Sequence, residues 1–537
     1  MKNETSNWLV TALFLLCHHG LTGQVWRADN GDGTYSNPIL YADYSDPDVI
    51  RVGDDYYMTA SSFNCTPGLP ILHSKDLVNW SLINYALPRQ YPEEVFDQPQ
   101  HFKGVWAPCI RYRDGIYYIY YGDPDFGIYQ LKAEDPAGEW SEPVLVKPGK
   151  GLIDSSPLWD DDGQAYLVHA WAASRVQVNS LLTVHRMNSE GTRVLDRGKH
   201  VFDGHDAHPT VEGPKFYKRK GYYYIFAPAG GVATGWQLVL RSRNIYGPYE
   251  EKVVLAQGNT AINGPHQGAW VDTPEGTSWF IHFQDVEAYG RIVHLQPVQW
   301  VDDWPVIGAD PDGDGMGEPV LRHVKPHADT KHLSVSPPES DEFSGGELGL
   351  QWQWHANPQL VWSALLPGKD HLRLFALPRS AQFINHWETP NLLLQKFPAP
   401  DFTATAKITL EATDADQSGG LLVMGRSYSA LQLTKVSDGY VLQQVICEQA
   451  DKGKPEVVVA SRPLREKNLY LRVQVRGPEA RCTFSFSTDG QTFEPIGDPF
   501  TAVPGGWIGA KVGLFAGKGS GSARGGYLDV DWFRITP

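Results

Sequence analysis

The chain has 537 residues, more than one hydrophobic core supports, since cores stop growing near roughly 250–300 residues; two domains are expected. Its net charge of −16 repels phosphate backbones and anionic lipid surfaces, which sets nucleic acid and membrane-surface partners aside in favour of a neutral one. With 18 Trp, 25 Tyr and 21 Phe beside 53 Gly and 39 Pro, and no long helical period, the composition points to an all-β protein rich in turns.

At the N-terminus Lys2 precedes the apolar run 8–17 (WLVTALFLLC) and then small or polar residues up to Gln24. This is the pattern of a secretory signal peptide over 1–23, so export to the periplasm or the extracellular space is expected. The run is too short to span a bilayer, no later stretch is longer, and no membrane span is expected. Leu16 occupies the place where a lipoprotein signal carries a small residue before its cysteine, which argues against a lipid anchor on Cys17. Cys65, Cys109, Cys447 and Cys482 are too few and too scattered for a disulfide framework and are read as free.

From residue 24 to 308 one unit recurs: an extended segment, a tight turn with Gly or Asp, then a strand dense in aromatics. The copies are 46–61, 106–122, 154–170, 212–227 and 266–283, with turn residues Asp55, Gly115, Gly163, Gly221 and Gly276. Each copy reads as a hairpin, and the residues between copies suffice for two further strands. Five four-stranded units fit a five-bladed β-propeller, which removes long exposed edges by radial repetition.

Four units start nine residues before their turn residue and the fifth starts ten before, at Asp46, Trp106, Asp154, Glu212 and His266. Equivalent positions of a radial repeat share radius and height, so these five side chains are expected to ring the mouth of the central channel. Taken singly, an acid before a strand is as well explained as a turn cap. Three acids at matching positions are better explained by chemistry, because crowded carboxylates raise one another's pKa and glycosidic cleavage needs a separated acid and base. Trp106 offers a face for a sugar ring. Three roles are open to His266: a satisfied turn histidine, a sugar contact or a metal ligand.

On these motifs, residues 37–308 resemble glycoside hydrolase family 43, of the arabinofuranosidase and β-xylosidase type. Asp46-Pro47-Asp48 is similar to the family's base segment, Ile153-Asp154-Ser155 to its middle acid, Glu212-Gly213-Pro214 to its general acid, and Gly290-Arg291 to its substrate-clamping arginine. The resemblance implies a five-bladed propeller and an inverting reaction. Asp46 would be the general base, Glu212 the general acid, and Asp154 the residue that tunes and orients Glu212. Inversion needs room for a water, so the two carboxylates of inverting enzymes stand about 6.5–9.5 Å apart. Arg291 would bind sugar hydroxyls. Two departures are visible: Cys109 stands where several relatives have an acid, and Pro265-His266-Gln267 replaces Gly-His-Gly. The family's frequent calcium is therefore carried over only as a metal contact at His266, and the chemistry itself needs no cofactor.

Residues 309–338 are polar and proline-containing and read as a linker. Within them Asp310-Pro311-Asp312-Gly313-Asp314-Gly315 lacks the acid that an EF-hand places at its twelfth position, where Leu321 stands. From 339 to 537, alternating segments such as 402–410, 469–475 and 527–535 predict an antiparallel β-sandwich. It resembles the concanavalin-like, jelly-roll module appended to many enzymes of the same family. Asp341 and Asp531 are candidate ligands for a structural calcium, and the aromatic stretch 383–387 (FINHW) is expected to approach the active-site mouth.

Together these readings predict an exo-acting glycosidase on pentose-containing oligosaccharides or polysaccharides of the plant cell wall. The segments Gly264-Pro265-His266-Gln267-Gly268 and 290–300 favour terminal α-L-arabinofuranose over the alternative, β-D-xylose. A sugar-binding propeller without catalysis is the rival from another class, but it has no use for three acids at the ring.

Overall fold

The computed structural model describes residues 24–327, 334–366, 368–519 and 525–537. The expected signal peptide, with Cys17, lies outside these residues, as does the part of the expected linker at 328–333. No helix among them is long and apolar enough to cross a membrane.

The first half folds into five antiparallel sheets of four strands each, over 48–87, 106–148, 152–203, 215–255 and 266–307. Two of the first hairpins turn on Asp114-Gly115 and Lys220-Gly221, with positive φ at both residues of each pair, as the twist of a two-residue hairpin demands. In the first blade the turn is Gly53-Asp54, and Asp55 already opens the next strand. The second strands of blades two and four, Ile116–Asp123 and Tyr222–Ala229, are aromatic because each blade is packed between two neighbours and must bury both faces.

Polar side chains stitch the innermost strands around the channel. Asp48 accepts the Ile110 N–H and the Arg111 guanidinium, both at 2.7 Å; Arg111 then reaches Ser156 Oγ at 3.1 Å. Ser156 accepts the Phe216 N–H at 3.0 Å, and Tyr217 OH accepts the Trp270 N–H at 3.2 Å. Arg51 closes the circle from blade one to the Asp272 carbonyl of blade five at 2.8 Å.

The expected linker is a strap rather than a free connector. Gly317 pairs with Leu255, Arg322–Val324 forms a ladder with Thr34–Ser36, and the buried Lys325 ammonium lies 2.6 Å from Asp29 and 3.0 Å from Asp76.

Beyond it two antiparallel-dominated sheets of eight strands face one another over the largest apolar core of the molecule. Asn468–Arg476 alternates buried and outward residues along its whole length, which is what one core-facing side of a strand produces. The sandwich docks on the propeller through a Thr66–Trp354 backbone pair, Asn357 hydrogen-bonded to Gln90, and the His101 ring stacked 3.6 Å from Trp387.

Candidate active site

Each blade enters its innermost strand through one residue in the left-handed region: Asp46 (φ 55°), Ala107 (30°), Asp154 (56°), Gly213 (58°) and Gln267 (33°). The pairing register breaks there in blades two, three and five. Such a bulge re-aims side chains at a strand end, and aspartate tolerates the conformation better than bulky residues do. Asp46 and Asp154 occupy the twisted position itself. Trp106, Glu212 and His266 precede it by one residue, so in these three blades the position read from the sequence lies one residue before its structural equivalent.

A cavity of about 300 Å3 opens at this end of the channel. Asp46, Asp154, Glu212, Trp106 and Arg291 line it, together with Phe63 and Trp171. Asp46 is buried, and its Oδ2 accepts hydrogen bonds from Ser45 at 2.8 Å and Ser61 at 2.5 Å. Arg291 Nη1 donates to Ser45 Oγ at 2.7 Å and lies 3.3 Å from Asp46 Oδ1. Ser61 in turn accepts the Ala107 N–H at 2.7 Å, which ties blade one to blade two beside the carboxylate.

Asp154 lies on the opposite part of the ring, also buried, with Oδ2 accepting the Gly213 N–H at 2.8 Å. Burial pushes its carboxyl well above the usual range, and the charges of Glu212 and Asp46 push the same way; the Gly213 N–H and the buried Lys215 pull against them. Glu212 is less enclosed. Its Oε1 is 3.0 Å from His266 Nε2, a contact that serves either protonation state: the ring N–H donates to the carboxylate, or the carboxylic O–H donates to the ring.

Several expected positions are corrected by this geometry. His266 does not line the cavity: it is fully buried behind Glu212, and its Nδ1 faces Gly235, where a Cβ would approach to 3.1 Å. Its contact is with Glu212 rather than with a sugar. Asp341 and Asp531 are each engaged by groups of the protein itself. Asp341 accepts the Phe343 N–H, the Gly349 N–H and the Trp352 indole N–H, and Asp531 is paired with Lys407 at 2.5 Å. The one group of three carboxylates close enough to hold an ion, among the described residues, is Asp310, Asp312 and Asp314, in a surface turn. Cys109 is inert packing: burial pushes its thiol up to about 12.

The sandwich does reach the mouth, but not with 383–387. Trp387 is buried against His101 instead. The residue at the cavity is Trp507, 6.3 Å from the Trp106 ring and 5.9 Å from the Arg291 guanidinium. A large aromatic flanked by Gly505-Gly506 and Gly509 was the available signal, since a core tryptophan rarely sits in so flexible a setting. Ser45 and Ser61 carried no such signal.

The model of the family Glycosyl hydrolases family 43 matches residues 35–305, and that of the Beta xylosidase C-terminal Concanavalin A-like domain matches 340–536. A Xylanibacter ruminicola protein that carries a β-xylosidase name is 40% identical over 90% of this chain and 86% of its own. A non-reducing end α-L-arabinofuranosidase of Bacteroides ovatus is 29% identical over 93% of this chain and 94% of its own. The crystal structure of a xylan β-1,4-xylosidase from Bacillus halodurans superposes with a TM-score of 0.82, covering 94% of this chain and all of that one at 25% identity.

Proposed function

The chain belongs to glycosyl hydrolases family 43, and from that premise we propose an exo-acting β-D-xylosidase that releases terminal xylose from xylo-oligosaccharides. The arabinofuranoside preference expected from 264–268 and 290–300 gives way to the xylosidase reading, because the 40% relative and the superposing crystal structure both carry β-xylosidase names. The observation that carries the proposal is the single cavity in which three carboxylates from blades one, three and four face an arginine and a tryptophan wall.

In this reading Asp46 takes the proton of a water that attacks the anomeric carbon. Its oxygens are already aligned by two hydroxyls and Arg291, so the base is held by donors that leave the water-facing side to the substrate. Glu212 protonates the leaving oxygen, and His266 behind it fixes the carboxyl orientation. Asp154 accepts the N–H of Gly213, the residue after Glu212, and so orients the general acid, while burial and the neighbouring acids raise its own carboxyl. Trp106 and Trp507 offer apolar faces to the sugar, and Trp507 narrows the mouth, which favours chain ends over internal linkages.

Attack from the face opposite the leaving group inverts the anomeric carbon. Proton NMR of early product from nitrophenyl β-D-xylopyranoside, whose single sugar is the one released, is expected to show α-xylose; early β-xylose would mean a carboxylate nucleophile. A second reading, α-L-arabinofuranosidase, draws on the Bacteroides ovatus relative and keeps the same roles for the acids.

A further inference from the structure

Asp43 stands three residues before Asp46 and is buried, at 4% exposure, where the two domains meet. Its two oxygens serve different domains. Oδ1 accepts the backbone N–H of Arg291 at 2.9 Å, and Oδ2 accepts the backbone N–H of Gly509 at 2.9 Å. The first donor belongs to the arginine that reaches Ser45 and Asp46; the second lies two residues beyond Trp507. The next residue continues the junction, with Ala510 N–H donating to the Ala288 carbonyl at 2.7 Å.

The surroundings are built to fit this carboxylate. Gly290 has φ 72°, and a Cβ there would fall 2.5 Å from Asp43 Cγ. A Cβ on Gly509 would fall 2.8 Å from the Gly290 nitrogen, so the backbones of the two domains touch at this point. An aspartate satisfies both amides because a carboxylate is an acceptor at both oxygens, whereas an asparagine would turn its own N–H2 toward one of them.

We propose that Asp43 is a positioning residue that fixes Arg291 and the Trp507 loop relative to one another, so that docking of the sandwich completes the active-site wall. The proposal rests on the reading of this cavity as the glycosidase site. Its role is distinct from holding the domains together, because the Thr66–Trp354 pair, the Asn357–Gln90 bonds and the His101–Trp387 stack are made by other residues of the interface and do not involve Asp43.

The test is Asp43→Asn in the full chain, alone and combined with Trp507→Ala. The single substitution is expected to lower kcat/KM on a nitrophenyl xyloside about tenfold or more, the worth of one lost hydrogen bond to a charged group. In the Trp507→Ala background the same substitution should cost several-fold less, since part of what Asp43 positions is already gone. Equal costs in the two backgrounds would overturn the proposal, as a generally loosened protein loses the same factor in both. Amide hydrogen exchange supplies a readout independent of activity. Arg291 and Gly509 should exchange faster in Asp43→Asn while Trp354 and Asn357 stay protected, and unchanged exchange at Gly509 overturns it. If the wild type turns over no glycoside, the functional reading fails but the exchange result still judges Asp43. If the variant does not fold, wild-type exchange decides: the Arg291 and Gly509 amides should open together, and widely different protection counts against the coupling.

Discussion

Asp46 and Asp154 occupy the same twisted position of their blades yet meet opposite surroundings, and that contrast sets their expected behaviour. Asp46 is ringed by Ser45, Ser61 and Arg291. Asp46→Ala should therefore lose about 10²- to 10⁴-fold in kcat on natural and activated xylosides alike, because no leaving group substitutes for a base, whereas Glu212→Ala should be largely spared on a dinitrophenyl xyloside. Steady-state rates of the two folded variants on both substrates decide this. Asp154 is the reverse case. Its folded-state pKa is raised, so its charge is unfavourable in the fold: the associated stability is full below the unfolded value of about 3.9 and is lost as pH rises toward the folded one. Asp154→Asn, which keeps an acceptor for the Gly213 N–H, should melt higher than wild type at neutral pH, and the gain should shrink toward pH 4 while activity is lost. A lower melting temperature at neutral pH would contradict the raised carboxyl. These acids were legible in the sequence because each opens a repeat. Ser45, Ser61 and the place of His266 behind Glu212 were not, since short polar residues near a strand start have many ordinary uses and only tertiary packing selects among them.

At the level of elements, the loop 505–509 matters most. Trp507 is 47% exposed and sits in the left-handed region with φ 65°, which costs a non-glycine residue free energy that the surrounding structure must offset. Trp507→Ala should raise KM for xylobiose about five- to tenfold, the equivalent of roughly 1–1.4 kcal/mol, with a smaller effect on an aryl xyloside kcat. The first turn of the sandwich behaves differently. Asp341 organises it by accepting three N–H groups, including that of the buried Trp352, so Asp341→Ala should cost about 1–3 kcal/mol in urea unfolding. Asp531 and Lys407 are each over one-third exposed, and Asp531→Ala should cost below about 1 kcal/mol. The five hairpins were readable from turn chemistry and aromatic density, which are local properties. The strap over 309–327 was not, because its hydrogen bonds go to Thr34–Ser36 and Val254, far away in sequence, and polar composition alone resembles a linker. The same reason misdirected 383–387: an aromatic run announces burial but not against which surface.

For the whole molecule, the architecture divides the work. The propeller brings acids from three blades to one axis, and the sandwich supplies the wall that makes a pocket of the channel mouth. Fold class and domain order were legible because periodicity and repeat length are global properties of the chain. Which domain surfaces meet was not, since interface residues such as Asp43, Gly290 and Gly509 are separated by hundreds of positions. The central claim, a xylosidase whose chemistry resides in these acids, is tested most directly by kcat/KM of the purified full chain on nitrophenyl β-D-xylopyranoside and nitrophenyl α-L-arabinofuranoside, measured side by side with Asp46→Ala. The xyloside is expected to be the better substrate and Asp46→Ala to lower turnover of both by about 10²-fold or more; faster arabinofuranoside cleavage, or an Asp46→Ala variant with near wild-type activity, would contradict it.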